Sequence, residues 1–250
     1  MDIRLENQTV LVTGAATGIG RAMILAFAQA GANVVINHYR QAPLAEQLVD
    51  ELRARGTGAL AIEADVGRRD EVRAMVEQGQ ATFGGIDVLV NNAGISIVKP
   101  FLEIAEAEWD RILDTNLKSV FHCCQAILPG MLDKGEGVII NIASELGYLG
   151  RARFAPYTAS KGGVITLTRS LAREFAPNIR INAIAPGPVL TPMLESEISN
   201  PDEWEQEMDI PMKRAGKPEE IAATAVFLAS EQAGYYCGEV LSPNGGALMR

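Results

Sequence analysis

Seven short apolar runs, each separated by a longer amphipathic stretch, constrain this chain more than any other feature. The runs lie at residues 10–12, 34–37, 59–63, 88–91, 138–142, 179–184 and 239–241. They are too short for helices and mostly apolar, so they read as strands buried on both faces. Helical patterns fill the intervals, among them 21–30, 44–55, 71–83, 106–132 and 162–175. Strict strand–helix alternation predicts an α/β fold: a seven-stranded parallel sheet with helices on both faces. Gly31, Gly56 and Gly84 stand where helices 1 to 3 should end, as left-handed C-caps. With 48% hydrophobic residues and no linker, repeat or biased segment, residues 1–250 are expected to form one domain. The alternation fails once. From Pro186 to Ala215 the chain carries four further prolines, many acids and Trp204. So long a connection in a compact domain predicts a substrate lid over 190–215.

Two motifs add chemistry to this frame. The first is Thr13-Gly14-Ala15-Ala16-Thr17-Gly18-Ile19-Gly20, directly after Val10-Leu11-Val12. Glycines at a strand-to-helix turn let the backbone approach a pyrophosphate, and the helix N-terminus supplies free N–H groups. That placement makes the loop a dinucleotide site. The second is Ser144 with Tyr157 and Lys161. Residues i and i+4 share a helix face, so the phenol and the ammonium are presented together. Ser144 ends the run 138–142 and can meet that face across a cleft. A hydroxyl, a phenol and an ammonium suit proton transfer at an alcohol oxygen. Joined to a dinucleotide, they imply hydride transfer.

These residues occur in one order with Asp65-Val66, Asn91-Asn92-Ala93-Gly94, Asn116 and Pro186-Gly187. On them the chain resembles the short-chain dehydrogenase/reductase family, from about residue 5 to the C-terminus. The resemblance implies a Rossmann fold in which Gly14, Thr17, Gly18, Ile19 and Gly20 form the cofactor loop. It places Asp65 and Val66 beside the adenine, and Asn91, Asn92, Ala93 and Gly94 near the nicotinamide ribose. Pro186, Gly187 and Val189 join the cofactor set, and Thr191 contacts the carboxamide. At the end of the second strand stand Asn37, His38, Tyr39 and Arg40. NAD-users of the family usually carry Asp there; His38 takes its approximate place. Asn37 can donate and Arg40 can meet a 2′-phosphate, which favours NADP over NAD. Thr17, however, stands where many NADP-users place a basic residue. Tyr157 is the implied general acid/base. Because a phenol near pKa 10 is a poor base, Lys161 is expected to lower it, aided by the oxidised nicotinamide, and to hold the ribose. Ser144 steadies the substrate oxygen. Asn116 is expected to bend its helix and hold a water leading from Lys161.

Charge narrows the partners. A net charge of −9 and a pI near 4.9 exclude a phosphate-backbone binder, which needs a basic face. No run approaches a membrane span, and the mixed-charge N-terminus is not a signal peptide, so a cytoplasmic protein is expected. Cys123, Cys124 and Cys237 have no metal spacing and read as buried free thiols; no metal is predicted. Substrate specificity is assigned to 95–98, 145–154 and 188–204, with Ser96, Ser144, Glu145, Leu190 and Met193 as contacts and Arg151 and Arg153 as further polar candidates. The chain most resembles the glucose 1-dehydrogenase and 3-oxoacyl-carrier-protein reductase groups. An acidic carrier protein needs a basic dock, and segments 133–137 and 175–178 are not basic. A small alcohol, ketone or sugar is therefore the expected substrate, with a 3-oxoacyl-carrier-protein reductase as the alternative. A non-catalytic NADP sensor is the alternative of another class. The resemblance implies a homotetramer, built on the apolar-rich 106–132, the helix after Tyr157 and the end 245–249.

Overall fold

In the computed structural model, which describes residues 3–198 and 200–249, the apolar runs become parallel strands. The first half of the chain forms β1 (Thr9–Val12), α1 (Gly18–Gln29), β2 (Asn33–His38), α2 (Ala42–Arg53), β3 (Ala59–Glu63), α3 (Arg69–Phe83) and β4 (Val88–Asn91). Then come α4 (Glu106–Leu113), a π-helical turn (Asp114–Lys118), α5 (Ser119–Lys134), β5 (Gly137–Ile142), α6 (Leu146–Leu149) and α7 (Ala155–Phe175). The last elements are β6 (Ile179–Ile184), α8 (Pro192–Glu197), α9 (Pro201–Glu207), α10 (Pro218–Ala229) and β7 (Val240–Leu241). The strands make one seven-stranded sheet in the order β3-β2-β1-β4-β5-β6-β7, and every pairing is parallel. This is the predicted Rossmann architecture.

The sheet is buried on both sides because successive side chains point to opposite faces. Val10, Val12, Val34 and Ile36 pack with α1, α2 and α10 on one face. Leu11, Val35 and Leu89 pack with α3, α5 and α7 on the other. Each such fully buried aliphatic side chain contributes about 1.5–3 kcal/mol. Gly31, Gly56 and Gly84 take positive φ, as their predicted capping role requires. α10 lacks a polar stripe, and its buried Ile221, Ala225 and Leu228 join the α1 side.

The order of strands puts a crevice where β1 and β4 diverge. The chain leaves β1 toward β2 on one side and returns to β4 on the other, so the carboxyl ends of these neighbours leave an open switch point. Two predicted elements differ in detail. The stretch 106–132 is one helical rod only in outline, because the π turn interrupts it at Asn116, which is 1% exposed. The segment after Pro186 folds into α8 and α9. Thr191 and Asn200 cap them, accepting from Leu194 N and Glu203 N. Leu194, Met208 and Ala215 form a small apolar cluster of their own. A parallel bridge between Val189 and Gly216 ties the two ends of this excursion together. Cys123 and Cys124 are buried as predicted, but Cys237 is exposed: it lies in the loop before β7, outside the packed helices.

Candidate active site

The glycine loop is held by two asparagines. Asn37, at the end of β2, accepts from Gly14 N at 3.1 Å through Oδ1 and donates to Ala64 O at 3.1 Å. Asn92, just past β4, donates to Thr13 O at 2.9 Å and Gly14 O at 3.1 Å. Thr13 Oγ1 accepts from Asn92 N and Ala93 N, both at 3.0 Å. Close approach leaves no room for side chains. A Cβ on Gly20 would lie 2.5 Å from Gly14 O, and one on Gly14, whose φ is +61°, would lie 2.9 Å from Ala93 Cα. No side chain caps the first turn of α1, so its N–H groups are available to an anion. This cradle fits the diphosphate of a dinucleotide.

The proton-handling residues lie on the opposite wall of the same cleft. Pro156 fits the first turn of α7, and Tyr157 and Lys161 follow one turn apart. Lys161 Nζ lies 5.7 Å from the centre of the Tyr157 ring and donates to Ile142 O, at the end of β5, at 2.7 Å. Ser144 Oγ, just beyond that strand, accepts from Leu146 N at 3.1 Å. Asn116 donates to Ile95 O at 2.9 Å and Ser160 Oγ at 3.1 Å, and accepts from Ile95 N at 2.8 Å. The π turn thus holds the loop after β4 against α7. Burial pulls the Lys161 ammonium down to about 8. Burial also pushes the Tyr157 phenol above its usual value; the carboxylates of Glu197 and Glu145 add to the rise and Ser144 opposes it. Burial and these carboxyl groups thus act against the lowering expected of Lys161 together with an oxidised nicotinamide.

Together these walls enclose a cleft of about 360 Å³. Of the predicted residues, Gly14, Thr17, Gly18, Ile19, Gly20, Asn37, Tyr39, Asp65, Val66, Asn92, Ala93 and Gly94 line it, as do Ser144, Tyr157, Lys161, Pro186, Gly187, Thr191 and Met193. Others lie elsewhere. Asn91 is buried in the sheet, donating to Asn141 Oδ1 at 2.8 Å, because its side chain points to the α5 face. His38 is buried with Nδ1 unpartnered. Arg40 sits outside, its guanidinium 4.9 Å over the Tyr39 ring. Val189 is held in its bridge to Gly216, and Leu190 is exposed. Asn116, Ser96 and Glu145 stand behind the lining. The structure also adds residues that no motif marks. Arg111 lines the cleft, pairs with Asp65 Oδ2 at 2.8 Å and lies 5.7 Å over Tyr39. Gln41 and Thr115 join it there.

Residues 14–247 match the protein family described as enoyl-(acyl carrier protein) reductase. The 3-oxoacyl-[acyl-carrier-protein] reductase of Staphylococcus epidermidis is 43% identical over 244 residues, covering 97% of this chain and 100% of the relative. The chain belongs to the short-chain dehydrogenase/reductase family. A 3beta-hydroxysteroid dehydrogenase 1 of Eggerthella lenta is 41% identical over 248 residues, covering 98% of this chain and 95% of its own. Among solved structures, a 7 alpha-hydroxysteroid dehydrogenase complexed with NADH and 7-oxo glycochenodeoxycholic acid superposes with a TM-score of 0.93 at 36% identity, covering 100% of this chain and 97% of that one. As a short-chain dehydrogenase/reductase, the protein is an NAD(P)-dependent oxidoreductase that interconverts a CH–OH group and a carbonyl. Among its described residues no helix is long and apolar enough to cross a membrane.

Proposed function

We propose that the protein interconverts a small, diffusible secondary alcohol or sugar and its carbonyl compound, using NADP in preference to NAD. One observation carries this: Ser144, Tyr157 and Lys161 face the same cleft as the glycine cradle. A bound dinucleotide supplies or accepts the hydride. Tyr157 gives the proton to the carbonyl oxygen in reduction and takes it from the hydroxyl in oxidation. Ser144 hydrogen-bonds that oxygen, Lys161 holds charge beneath the phenol, and Asn116 positions α7 against the Ile95 loop. The segment 190–215 is the proposed lid. It is tied at its base by Val189 and Gly216 and reaches the loop between α6 and α7 through Glu207 and Arg151, 2.6 Å apart.

The NADP preference rests on the lip of the cleft. Neither Asn37 nor His38 presents a carboxylate there, and Arg40 and Arg111 both lie over Tyr39. Asn37 is no donor to a phosphate in this reading, because its amide N–H groups donate to backbone carbonyls, Ala64 O among them, while its Oδ1 accepts from Gly14 N. Lys134 is the cation of segment 133–137, and Asp87 and Glu136 hold it at 2.6 and 3.0 Å, leaving little positive charge for an acidic carrier. The second reading, reduction of a 3-oxoacyl group on a carrier protein, is favoured by the name and the full-length similarity of the Staphylococcus relative. The proposed assembly is a homotetramer and the proposed compartment the cytoplasm, where an exposed Cys237 stays reduced.

A turnover screen tests the reading directly. Sugars, secondary alcohols, ketones and an acetoacetyl-carrier-protein thioester are offered with NADP(H) and NAD(H). The expected result is NADP-linked turnover of small polar substrates. A thioester that outruns them all would install the second reading. Cofactor binding with no turnover would leave a sensor.

A further inference from the structure

A dinucleotide that reacts at Tyr157 and rests its diphosphate on the glycine cradle has one course open to it. The reacting end lies beyond β5 and the cradle after β1. In the sheet order β3-β2-β1-β4-β5, the other nucleoside therefore falls at the carboxyl ends of β2 and β3. Tyr39, Gln41, Asp65 and Arg111 line the cleft there. Asp65 is the only carboxylate among the described lining residues, and Arg111 and Lys161 are the cations. Lys161 stands at the far end, donating to Ile142 O. Asp65 is 6% exposed, and both its oxygens are held. Oδ1 accepts from Gly67 N at 3.0 Å, and Oδ2 accepts from Arg111 Nη1 at 2.8 Å. The space beside the pair is closed: a Cβ on Gly67 would lie 3.2 Å from Asp65 Oδ1 and 3.6 Å from Arg111 Nη1. Arg111 stands in the last turn of α4, just before the π turn. A carboxylate so placed obstructs an anionic ligand, and the guanidinium beside it removes the obstruction.

We infer that Arg111 is a specificity-determining residue: by cancelling the charge of Asp65, it lets this end of the cleft accept a 2′-phosphate. The inference rests on the proposed use of NADP and names the residue that permits it. A phosphate monoester carries a charge of about −1.5 to −2 at neutral pH, where NAD has only a hydroxyl. A lone carboxylate repels the first and accepts a hydrogen bond from the second. Between walls of protein that difference is felt more strongly than in water. With Arg111 in place the pair is neutral as a whole, and the choice passes to the other cation at the lip, Arg40, over Tyr39. Arg111 thus acts through Asp65 rather than as the phosphate's own partner. Its charge matters more than its shape, because any cation that reaches Asp65 Oδ2 would cancel the carboxylate equally.

The test titrates NADPH and NADH by calorimetry against the full chain and against Arg111→Met, Arg111→Lys, Asp65→Asn and the double variant Asp65→Asn/Arg111→Met. Arg111→Met should weaken NADPH about tenfold more than NADH. Arg111→Lys, which keeps the charge, should hold the ratio of the two Kd values within about threefold of wild type. Asp65→Asn alone should move that ratio toward NADPH by about threefold or more. The double variant should return to within about threefold of wild type, because the two sites are coupled. Raising NaCl from about 20 mM to about 0.5 M should shrink the Arg111→Met effect through screening. Equal losses for both cofactors in Arg111→Met would reduce Arg111 to a packing role. A double variant as poor as Arg111→Met would mark a direct contact with the phosphate. Either result overturns the inference. If Arg111→Met fails to fold, the Asp65→Asn arm decides, and an unchanged ratio there overturns it. A wild-type chain that binds NADH more tightly than NADPH would sink the proposed cofactor choice alone, since the inference is read from the change among variants.

Discussion

Tyr157 stands in a field that opposes its ionisation, which makes its hydroxyl the most sensitive atom of the site. Tyr157→Phe removes only that oxygen. The variant should keep its fold and NADPH affinity and lose about 10²–10⁴ in kcat; near-wild-type turnover would sink the assigned role. Arg40→Ala probes the lip of the cleft. A hydrogen bond to a charged group contributes about 1.5–3 kcal/mol, so NADP should weaken roughly tenfold to a hundredfold and NAD hardly at all. Equal losses in titrations of both cofactors would remove Arg40 from the site. Glu145 gives a pH signature. Its folded pKa of about 8 lies above the ordinary 4.5, so the folded chain holds this proton more tightly than the unfolded one. Its contribution to stability is complete below 4.5 and is lost as pH rises through about 8. The wild-type Tm should therefore fall relative to that of Glu145→Gln between about pH 5 and about pH 9; parallel curves would contradict the buried, unpaired carboxyl. Sequence spacing exposed Tyr157 and Lys161 because one helix carries both. It could not expose Arg111, which meets Asp65 and Tyr39 only after three separate segments converge.

At the scale of elements, the π turn is the piece whose removal should be felt farthest. Asn116 satisfies both the N–H and the carbonyl of Ile95 and reaches Ser160 on α7. Asn116→Ala leaves buried groups unpaired at a cost of about 1–3 kcal/mol. A chain of this size should then melt roughly 2–12 °C lower. An unchanged Tm in a calorimetric scan would mean that water replaces the amide without loss. The strands were legible because a parallel sheet covered on both faces favours short, mostly apolar runs, of which Val10-Leu11-Val12 is the plainest. The break at Asn116 was legible only as a bend, since nothing in Asp114-Thr115-Asn116 distinguishes an extra residue in a turn from an ordinary polar one. α10 escaped notice for the opposite reason: being apolar on most sides, it shows no stripe. Asn37 and Asn92 look like ligand donors in a list of residues, but three-dimensional closure turns both toward the glycine loop.

For the whole molecule, the uncovered apolar side chains bear on the proposed homotetramer. Leu102 is 95% exposed and Met249 76%, with Phe101, Phe121 and Leu149 also uncovered. Together with α7, the uncovered side chains of α5, the loop after β4 and the C-terminal end are the faces on which the proposed homotetramer would form. Light scattering at micromolar concentration should give four times the chain mass of 26.8 kDa; a single-chain mass would refute the tetramer. The bridge between Val189 and Gly216 has a consequence of another kind. Because it brings the ends of the α8–α9 excursion side by side and the excursion carries its own apolar cluster, the segment has the geometry of an insert whose ends are fixed by the scaffold. A relative's corresponding stretch, spliced between those two residues, would meet the same scaffold and the same cofactor cradle. If the segment is the lid proposed above, such an exchange would change the substrate while leaving the cradle and the proton-handling residues in place.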